Sequence, residues 1–381
     1  RGPEAAAIYG SDAIGGVTQI FTKRGDPSLS RPQVDLTTAL GIVQTPYDGY
    51  HDVPRQMYNA GVRGGSSDIG YNFGGNYSFT NSYIPAGEIS KQSNIGAYGG
   101  MRYAKGVLSA DVSARFNEWN TPQVQNPEMF TVGIPSEAKP FYTPTKETGE
   151  GFGGRLQATP TPWLTTTATL GVDLFSSDAS QARRRLTTPD DTLLVVFDQD
   201  WTRTNLGLNG SIHGAIAPGI NGILTAGIDH YSYPISQISS YGPNTSGTLS
   251  STSIQKTLTT NTGAFVQGQL GLFDGLYLTA GLRVEANTEF GDSLRAPISP
   301  RGGLSYVRQI GMTTVKVRGS YGTAIRPPNA GDKLFFSSPY SVQLGNPHLG
   351  PERQFGGDAG VDLEVGQRLS FSATSYNQTA I

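Results

Sequence analysis

The segment IGYNFGGNYSFT, residues 69–80, decides the fold class, because its side chains alternate strictly between two kinds. Ile69, Tyr71, Phe73, Tyr77 and Phe79 occupy odd positions, and the even positions between them carry Gly, Asn, Ser and Thr. A period of two residues is typical of a β-strand with one apolar face. The segment therefore predicts a strand that separates an apolar environment from a polar one.

The same alternation recurs along the whole chain, and convincing amphipathic helices are missing. The pattern predicts an all-β protein, because no other regular structure has a period of two. Fifteen segments carry it: 33–43, 55–64, 68–80, 92–103, 107–118, 150–158, 163–175, 201–217, 222–232, 253–272, 276–289, 298–307, 312–323, 353–364 and 368–379.

Composition removes several classes of protein. Cys is absent, which excludes a disulfide framework, a thiolate metal site and a Cys nucleophile. The net charge of −2 leaves no electrostatic footprint for nucleic acid. The longest strongly apolar run is LLVVF, residues 193–197, which is too short for a transmembrane helix. A transmembrane β-barrel is not excluded, because each of its strands needs only about 9–11 residues.

The lengths of the connections favour a membrane barrel over a soluble sandwich or propeller, which also alternates. Outer-membrane barrels have short periplasmic turns and long outer loops, so every second connection is long. The apolar face would then meet lipid and the Thr, Asn, Ser and Gly face would line the lumen. The short links are 65–67, 104–106, 159–162, 218–221, 273–275, 308–311 and 365–367, and the long ones are 44–54, 81–91, 119–149, 176–200, 233–252, 290–297 and 324–352.

The opening stretch, RGPEAAAIYGSDAIGGVTQIFTKRG, has a second kind of signal. It contains Arg-Gly-Pro, a run of small residues, Tyr-Gly, and a Gly-Gly step into an apolar strand. This order resembles the end of the plug domain of TonB-dependent outer-membrane receptors. Taken alone, the glycine-rich stretch also fits a flexible linker. The matching residues are Arg1, Gly2, Pro3, Tyr9, Gly10, Gly15 and Gly16.

A downstream stretch also resembles this family. GSYGTAIRPPNAGDKLF (319–335) and GNPHLGPER (345–353) are similar to its strand end with an Arg-Ala-Pro motif, followed by Gly-Asn-Pro-x-Leu-x-Pro-Glu. Pro327 replaces the usual Ala, and Gly350 stands where a charged residue is common. Alone, the motif fits a surface turn.

The resemblance implies a domain organisation. Residues 1–25 would end a plug domain, 26–32 would be a linker, and 33–381 would form part of an antiparallel transmembrane β-barrel. Family barrels have about 22 strands around a plugged lumen. With about 15 predicted strands, we expect an incomplete barrel and an internal fragment of a receptor, without the segment that contacts TonB.

The resemblance also implies a function. We expect energy-coupled uptake of a scarce, bulky solute across the cell outer membrane, with an iron–siderophore complex or cobalamin as typical ligands. The expected partners are the TonB–ExbB–ExbD complex, the solute, and outer-membrane lipid and lipopolysaccharide, around a monomeric receptor. The alternative is a passive porin or another channel without energy coupling. An enzyme is not expected, because Gly-x-Ser-x-Gly is absent and the four His show no ligand or triad spacing.

Two kinds of site are predicted. Arg1 of the plug would contact Glu285 or Glu364, because a charge enclosed in a plugged lumen is costly unless paired. Aromatic and Arg side chains in the long loops suit large, flat or anionic ligands. The Arg run in this set could equally contact lipopolysaccharide phosphates, and the residues alone favour a solvated run of charge. The candidate ligand-binding residues are Tyr47, Tyr50, Trp119, Phe141, Tyr142, Arg183, Arg184, Arg185, Arg326, Phe335, Phe336 and Tyr340.

No resident cofactor is expected. Asp190, Asp191, Asp198 and Asp200 supply hard oxygen ligands of the kind that calcium prefers, although their spacing matches no defined calcium loop.

Overall fold

The computed structural model describes residues 25, 29, 31–45, 51–81, 91–123, 143–184, 192–241, 251–291, 296–333, 336–337 and 342–381. Within these residues nearly all of the chain is β-strand. The strands are β1 (Gln33–Val43), β2 (Val53–Ser66), β3 (Ile69–Asn81), β4 (Lys91–Lys105), β5 (Leu108–Gln123), β6 (Thr143–Thr161), β7 (Leu164–Arg184), β8 (Thr192–Ala217), β9 (Ile220–Tyr241), β10 (Ser251–Leu272), β11 (Leu276–Asn287), β12 (Ile298–Ile310), β13 (Thr313–Arg326), β14 (Phe336–Ser337), β15 (Val342–Gln343), β16 (Glu352–Val365) and β17 (Leu369–Ala380).

All strands except β14 and β15 form one continuous antiparallel sheet of fifteen strands. Each strand of this sheet pairs with the next one along the chain, and β13 pairs with β16. Strands β14 and β15 make a separate hairpin in the connection between β13 and β16. The fifteen predicted strands are therefore confirmed in number and order. In the described part of the chain, β1 and β17 are the two edges of the sheet, and each pairs on one side only.

Helical structure among the described residues is limited to a 3-10 turn at Thr288–Phe290 and one α-turn at Ala330–Lys333. No described helix has the length and apolarity to cross a membrane.

The short connections lie at one end of the sheet, and four of them contain a glycine in the left-handed region of φ. Gly106, Gly219, Gly311 and Gly366 have φ of 57°, 73°, 60° and 56°. An L-residue with a side chain adopts such angles at a cost, so glycine suits these four turns. In the turn 273–275, Phe273 and Asp274 adopt them instead, with φ of 52° and 58°. The strand ends that flank the long connections lie at the other end of the sheet, as the alternation of link lengths predicts.

The two faces of the sheet reverse the usual arrangement of a soluble protein. The outward face carries exposed apolar side chains, for example Leu36, Phe73 and Leu208, which are 77%, 45% and 54% exposed. The buried polar residues lie on the opposite face and include Asn261, Gln267 and Arg283. Among the described residues, buried hydrophobic side chains are limited to Ala179, Phe290, Ala324 and Ile325. An apolar exterior over a polar interior is the arrangement of a transmembrane barrel.

Several strands are longer than their apolar alternation indicates. β8 has 26 residues and β9 has 22, whereas spanning a membrane needs about 9–11. The predicted loop at 176–200 is therefore too long, since β7 and β8 remain paired as far as Arg184 and Thr192. The reason is that backbone pairing continues above the lipid, where the alternation is lost: residues 176–184 are mostly polar, and residues 193–197 are apolar at every position.

Candidate functional site

The most buried charge of the lumen face lies on β11. The side chain of Arg283 is 2% exposed. Its Nη1 and Nη2 donate to the two carboxylate oxygens of Asp229 on β9, at 2.7 and 2.6 Å. Its Nε donates to Glu285 Oε2 at 3.3 Å. Asn261 on β10 donates a further hydrogen bond to the other oxygen of Glu285. One buried cation is thus neutralised by two carboxylates from different strands.

A glycine makes room for this guanidinium. Gly263 on β10 lies between Asp229 and Glu285 in the strand register. A Cβ at position 263 would lie 1.9 Å from Arg283 Nη2, far inside van der Waals contact. The Arg283 side chain therefore crosses the face of β10 over Gly263 to reach β9, and a residue larger than glycine would displace it.

Further ion pairs line the same face. Arg318 on β13 contacts Asp358 at 3.0 Å and Asp362 at 3.2 Å on β16, and its Nη2 donates to Thr374 Oγ1 on β17 at 2.7 Å. Between β5 and β7, Arg115 pairs with Asp173 at 2.6 Å. The lumen face thus carries fixed charges of both signs, which suits a compartment that holds water or another polar surface.

An aromatic group lies on the lumen face of β7–β9. Phe175 and Trp201 are cross-strand partners; their ring centroids are 5.2 Å apart and the rings are 16° from parallel. Tyr233 meets Trp201 edge-on at 5.4 Å. Beside them, the Cζ of Arg203 lies 4.8 Å from the ring centroid of Tyr231, within cation–π distance. We call these five residues the aromatic–arginine cluster.

The connection after β13 contacts the turn that follows β11 through a lysine and a glutamate. Lys333 Nζ donates to the backbone oxygen of Glu289 at 2.8 Å and contacts its carboxylate at 3.2 Å. The Glu289 carboxylate also accepts from Thr259 of β10 at 3.4 Å. The α-turn Ala330–Lys333 and the 3-10 turn Thr288–Phe290 are thereby held against each other at the end of the sheet that carries the long connections.

The predicted plug–barrel residues fall in different surroundings. Glu285 is buried beside Arg283, and Glu364 is exposed on β16. Arg1 and the rest of the plug motif lie outside the described residues, so the contact stays a prediction.

The predicted ligand-binding residues are only partly described. Trp119 lies on β5, not in a loop, and is 38% exposed. Arg326 ends β13, and its Nη1 is 4.0 Å from Glu352 Oε2. Arg183 and Arg184 belong to β7, opposite Leu193 and Thr192, and Phe336 belongs to β14. Tyr47, Tyr50, Phe141, Tyr142, Arg185, Phe335 and Tyr340 lie outside the described residues.

Two of the four predicted calcium ligands are described. Asp198 and Asp200 lie on β8, about 20 residues from the turn at 218–219 and hence above the membrane-spanning part. Burial, together with the negative charges of Asp200 and Asp178, raises the pKa of Asp198. Among the described residues no group of three His, Asp or Glu side chains is arranged to hold a metal ion. Asp190 and Asp191 lie outside those residues, and the calcium site stays a prediction.

Sequence reasoning missed the residues that dominate the lumen face. Arg283 follows the alternation of β11, so its face was predictable, but its partner Asp229 lies 54 positions away. The aromatic–arginine cluster was missed because its members lie on three strands, and no spacing in the sequence links them. Only the register of three strands brings these side chains together.

The comparisons with known proteins agree with this geometry. A family model described as "TonB dependent receptor-like, beta-barrel" matches residues 116–380. The chain therefore belongs to the TonB-dependent receptor family, whose barrels are located in the outer membrane and whose members are transport receptors, not enzymes. The matched residues correspond to the wall of the β-barrel of such a receptor. A comparison with curated protein sequences finds no match.

Solved structures share the fold at low sequence identity. The RagAB peptide importer in its closed-closed state superposes with a TM-score of 0.71 at 14% identity, over 94% of this chain and 55% of that one. The siderophore receptor PirA from Acinetobacter baumannii gives 0.69 at 16%, over 100% and 56%. A mutant ferric enterobactin receptor from Pseudomonas aeruginosa gives 0.69 at 16%, over 100% and 58%. The chain thus spans between half and three fifths of the length of these structures.

Proposed function

We propose that this chain is the barrel part of a receptor that takes up a scarce, bulky solute by TonB-dependent, energy-coupled transport. The observation that supports this most strongly is the lumen face itself, which carries paired charges and aromatic rings inside an apolar exterior. A plain diffusion pore needs a wet lumen, but it does not need a buried guanidinium that is paired with two carboxylates, as Arg283 is with Asp229 and Glu285. Iron–siderophore complexes and cobalamin are the ligand classes that we propose, with TonB–ExbB–ExbD as the energy source and a plug as the moving part.

Uptake by cells tests this proposal. Cells that rely on this receptor should accumulate radiolabelled iron from a ferric siderophore, and deletion of TonB should lower accumulation to the level of cells without the receptor. Accumulation that is unchanged by TonB deletion would instead assign a passive channel. Labelled cobalamin in the same assay separates the two ligand classes.

We further propose that the plug contacts the barrel through Arg1, with Glu364 as its first candidate partner. Glu364 lies on the lumen-facing register of β16, next to the short turn at 366–368, and it has no ion-pair partner among the described residues. Glu285 is the weaker candidate because Arg283 and Asn261 already occupy its oxygens.

Cysteine cross-linking tests this contact on a clean background, because the chain has 0 Cys. Arg1→Cys combined with Glu364→Cys should form a disulfide in oxidising conditions. The control pair is Arg1→Cys with Glu352→Cys, since Glu352 begins the same strand at its other end and should not cross-link. Absence of a cross-link to positions 364 and 285 alike would show that Arg1 has another partner.

A further inference from the structure

We propose that the aromatic–arginine cluster (Phe175, Trp201, Arg203, Tyr231 and Tyr233) is a binding site for a ligand that carries a flat unsaturated ring and a negative charge. This inference rests on the proposed uptake function, because it names the chemistry of the solute that the lumen would receive. The site lies on the barrel wall, on β7–β9, and not in the loops to which the sequence assigns ligand binding.

The first argument is the position of the cluster. Leu206 and Leu208 of β8 are 49% and 54% exposed on the outward face. Trp201 and Arg203 have the opposite parity on the same strand, and they share their face with buried Ser177 and Ser239. The rings therefore face the lumen. They are half-buried, so part of their surface remains open to a ligand.

The second argument is the charge. Arg203 lies on the face of Tyr231 at 4.8 Å, and its Nε donates to Asn205 Oδ1 at 3.2 Å. In the part of the chain that the structure describes, no carboxylate lies within ion-pair distance of Arg203, because Asp173, which is opposite it on β7, is paired with Arg115. Arg115, Arg283 and Arg318 on the same lumen face each have at least one carboxylate partner. The two Nη groups of Arg203 donate no hydrogen bond to any described residue, and Arg203 lies on the lumen-facing register of β8.

The third argument is chemical complementarity. A planar ring can stack on Trp201 or Tyr233, since offset and edge-on ring pairs are favourable beyond the area they bury. Anionic oxygens on that ring would accept from the guanidinium, which binds planar anions through two parallel donors. Catecholates and aromatic carboxylates combine these two features. A neutral, non-aromatic ligand uses neither.

The test is a binding titration on the purified receptor in detergent micelles, followed by tryptophan fluorescence and by calorimetry. The probe is an anionic iron(III)–catecholate complex, and a neutral iron(III)–hydroxamate complex of similar size is the comparison. Arg203→Gln and Trp201→Leu should each weaken catecholate binding by about tenfold or more, the equivalent of one lost charge-assisted hydrogen bond or one stacked ring. Hydroxamate binding should change less than threefold.

Arg155→Gln is the matched control. Arg155 is an exposed arginine on the lumen-facing register of β6, and its Nη2 donates to Gln157 at 2.8 Å, with no ring in contact among the described residues. It should leave catecholate binding unchanged. Arg203→Lys retains the charge and Trp201→Phe retains a ring. Both should bind catecholate more tightly than Arg203→Gln and Trp201→Leu. This difference distinguishes a lost contact from a misfolded barrel.

The outcomes of this proposal and of the uptake proposal are distinguishable. Equal losses in the Arg203 and Arg155 variants, or no saturable catecholate binding by the wild-type receptor, would overturn the site whatever the uptake assay shows. The purified receptor could bind catecholate through Arg203 and Trp201 while uptake by cells is unchanged by TonB deletion. That result would support the site and overturn only the proposed energy coupling.

Discussion

Replacing Arg283 with Met should lower the free energy of unfolding of the barrel by about 3–5 kcal/mol, the usual cost of removing one partner from a buried ion pair. The side chains of Arg283 and Glu285 are 2% and 8% exposed. Without the guanidinium, the buried carboxylate of Glu285 has no cation beside it and is repelled by the partly exposed carboxylate of Asp229. Urea unfolding in lipid vesicles, followed by tryptophan fluorescence, measures the change.

Two further variants make that result interpretable. Arg155→Met removes an exposed lumen arginine and should change stability by less than about 1 kcal/mol. The triple change Arg283→Met, Glu285→Gln and Asp229→Asn removes the opposing charges as well, so it should recover part of the loss. Equal destabilisation by Arg283→Met and Arg155→Met would contradict the assigned burial of the network.

The second large effect should come from the outward face. Val112→Arg should destabilise the barrel by about 2–4 kcal/mol, because it places a charge in lipid near the middle of the hydrocarbon layer. Val112 is 57% exposed on β5 and lies 5 positions beyond Val107 of the short turn. Folding into vesicles at a series of urea concentrations measures the loss.

The adjacent residue supplies a matched control. Ser113 is exposed on the lumen face of the same strand, and its cross-strand partners are Gly100 and Gly153. These glycines leave space for a long side chain, so Ser113→Arg should cost less than about 1 kcal/mol. If the two arginines had equal effects, the assignment of the faces would be wrong.

The fold was largely predictable because one physical constraint governs it. Lipid on one side and a polar lumen on the other impose a period of two, and residues 69–80 carry it almost without interruption. The strand ends were less predictable. β8 begins at Thr192, where a predicted loop extends to residue 200, because hydrogen bonding continues after the lipid ends.

The site was predictable only in part. The polar face of β11 includes Glu285, so sequence reasoning identified a lumen carboxylate correctly as a member of that face. Its partners were not identifiable, because Asp229, Asn261 and Arg283 meet through the register of three strands. The same holds for Arg203: the absence of an ion pair to it among the described residues depends on how the strands are paired, which the sequence does not reveal.

Strands β7–β10 extend well beyond the membrane-spanning part of the sheet, and this length has a thermodynamic consequence. Receptors that capture ligands with loops lose loop entropy on each association, at about 0.5–1.5 kcal/mol per immobilised side chain in addition to backbone ordering. Here the rings of Phe175 and Trp201 stand on paired strands that are already ordered. Association at this wall would therefore lose little conformational entropy, and a dilute ligand would meet a surface that is preorganised before it arrives.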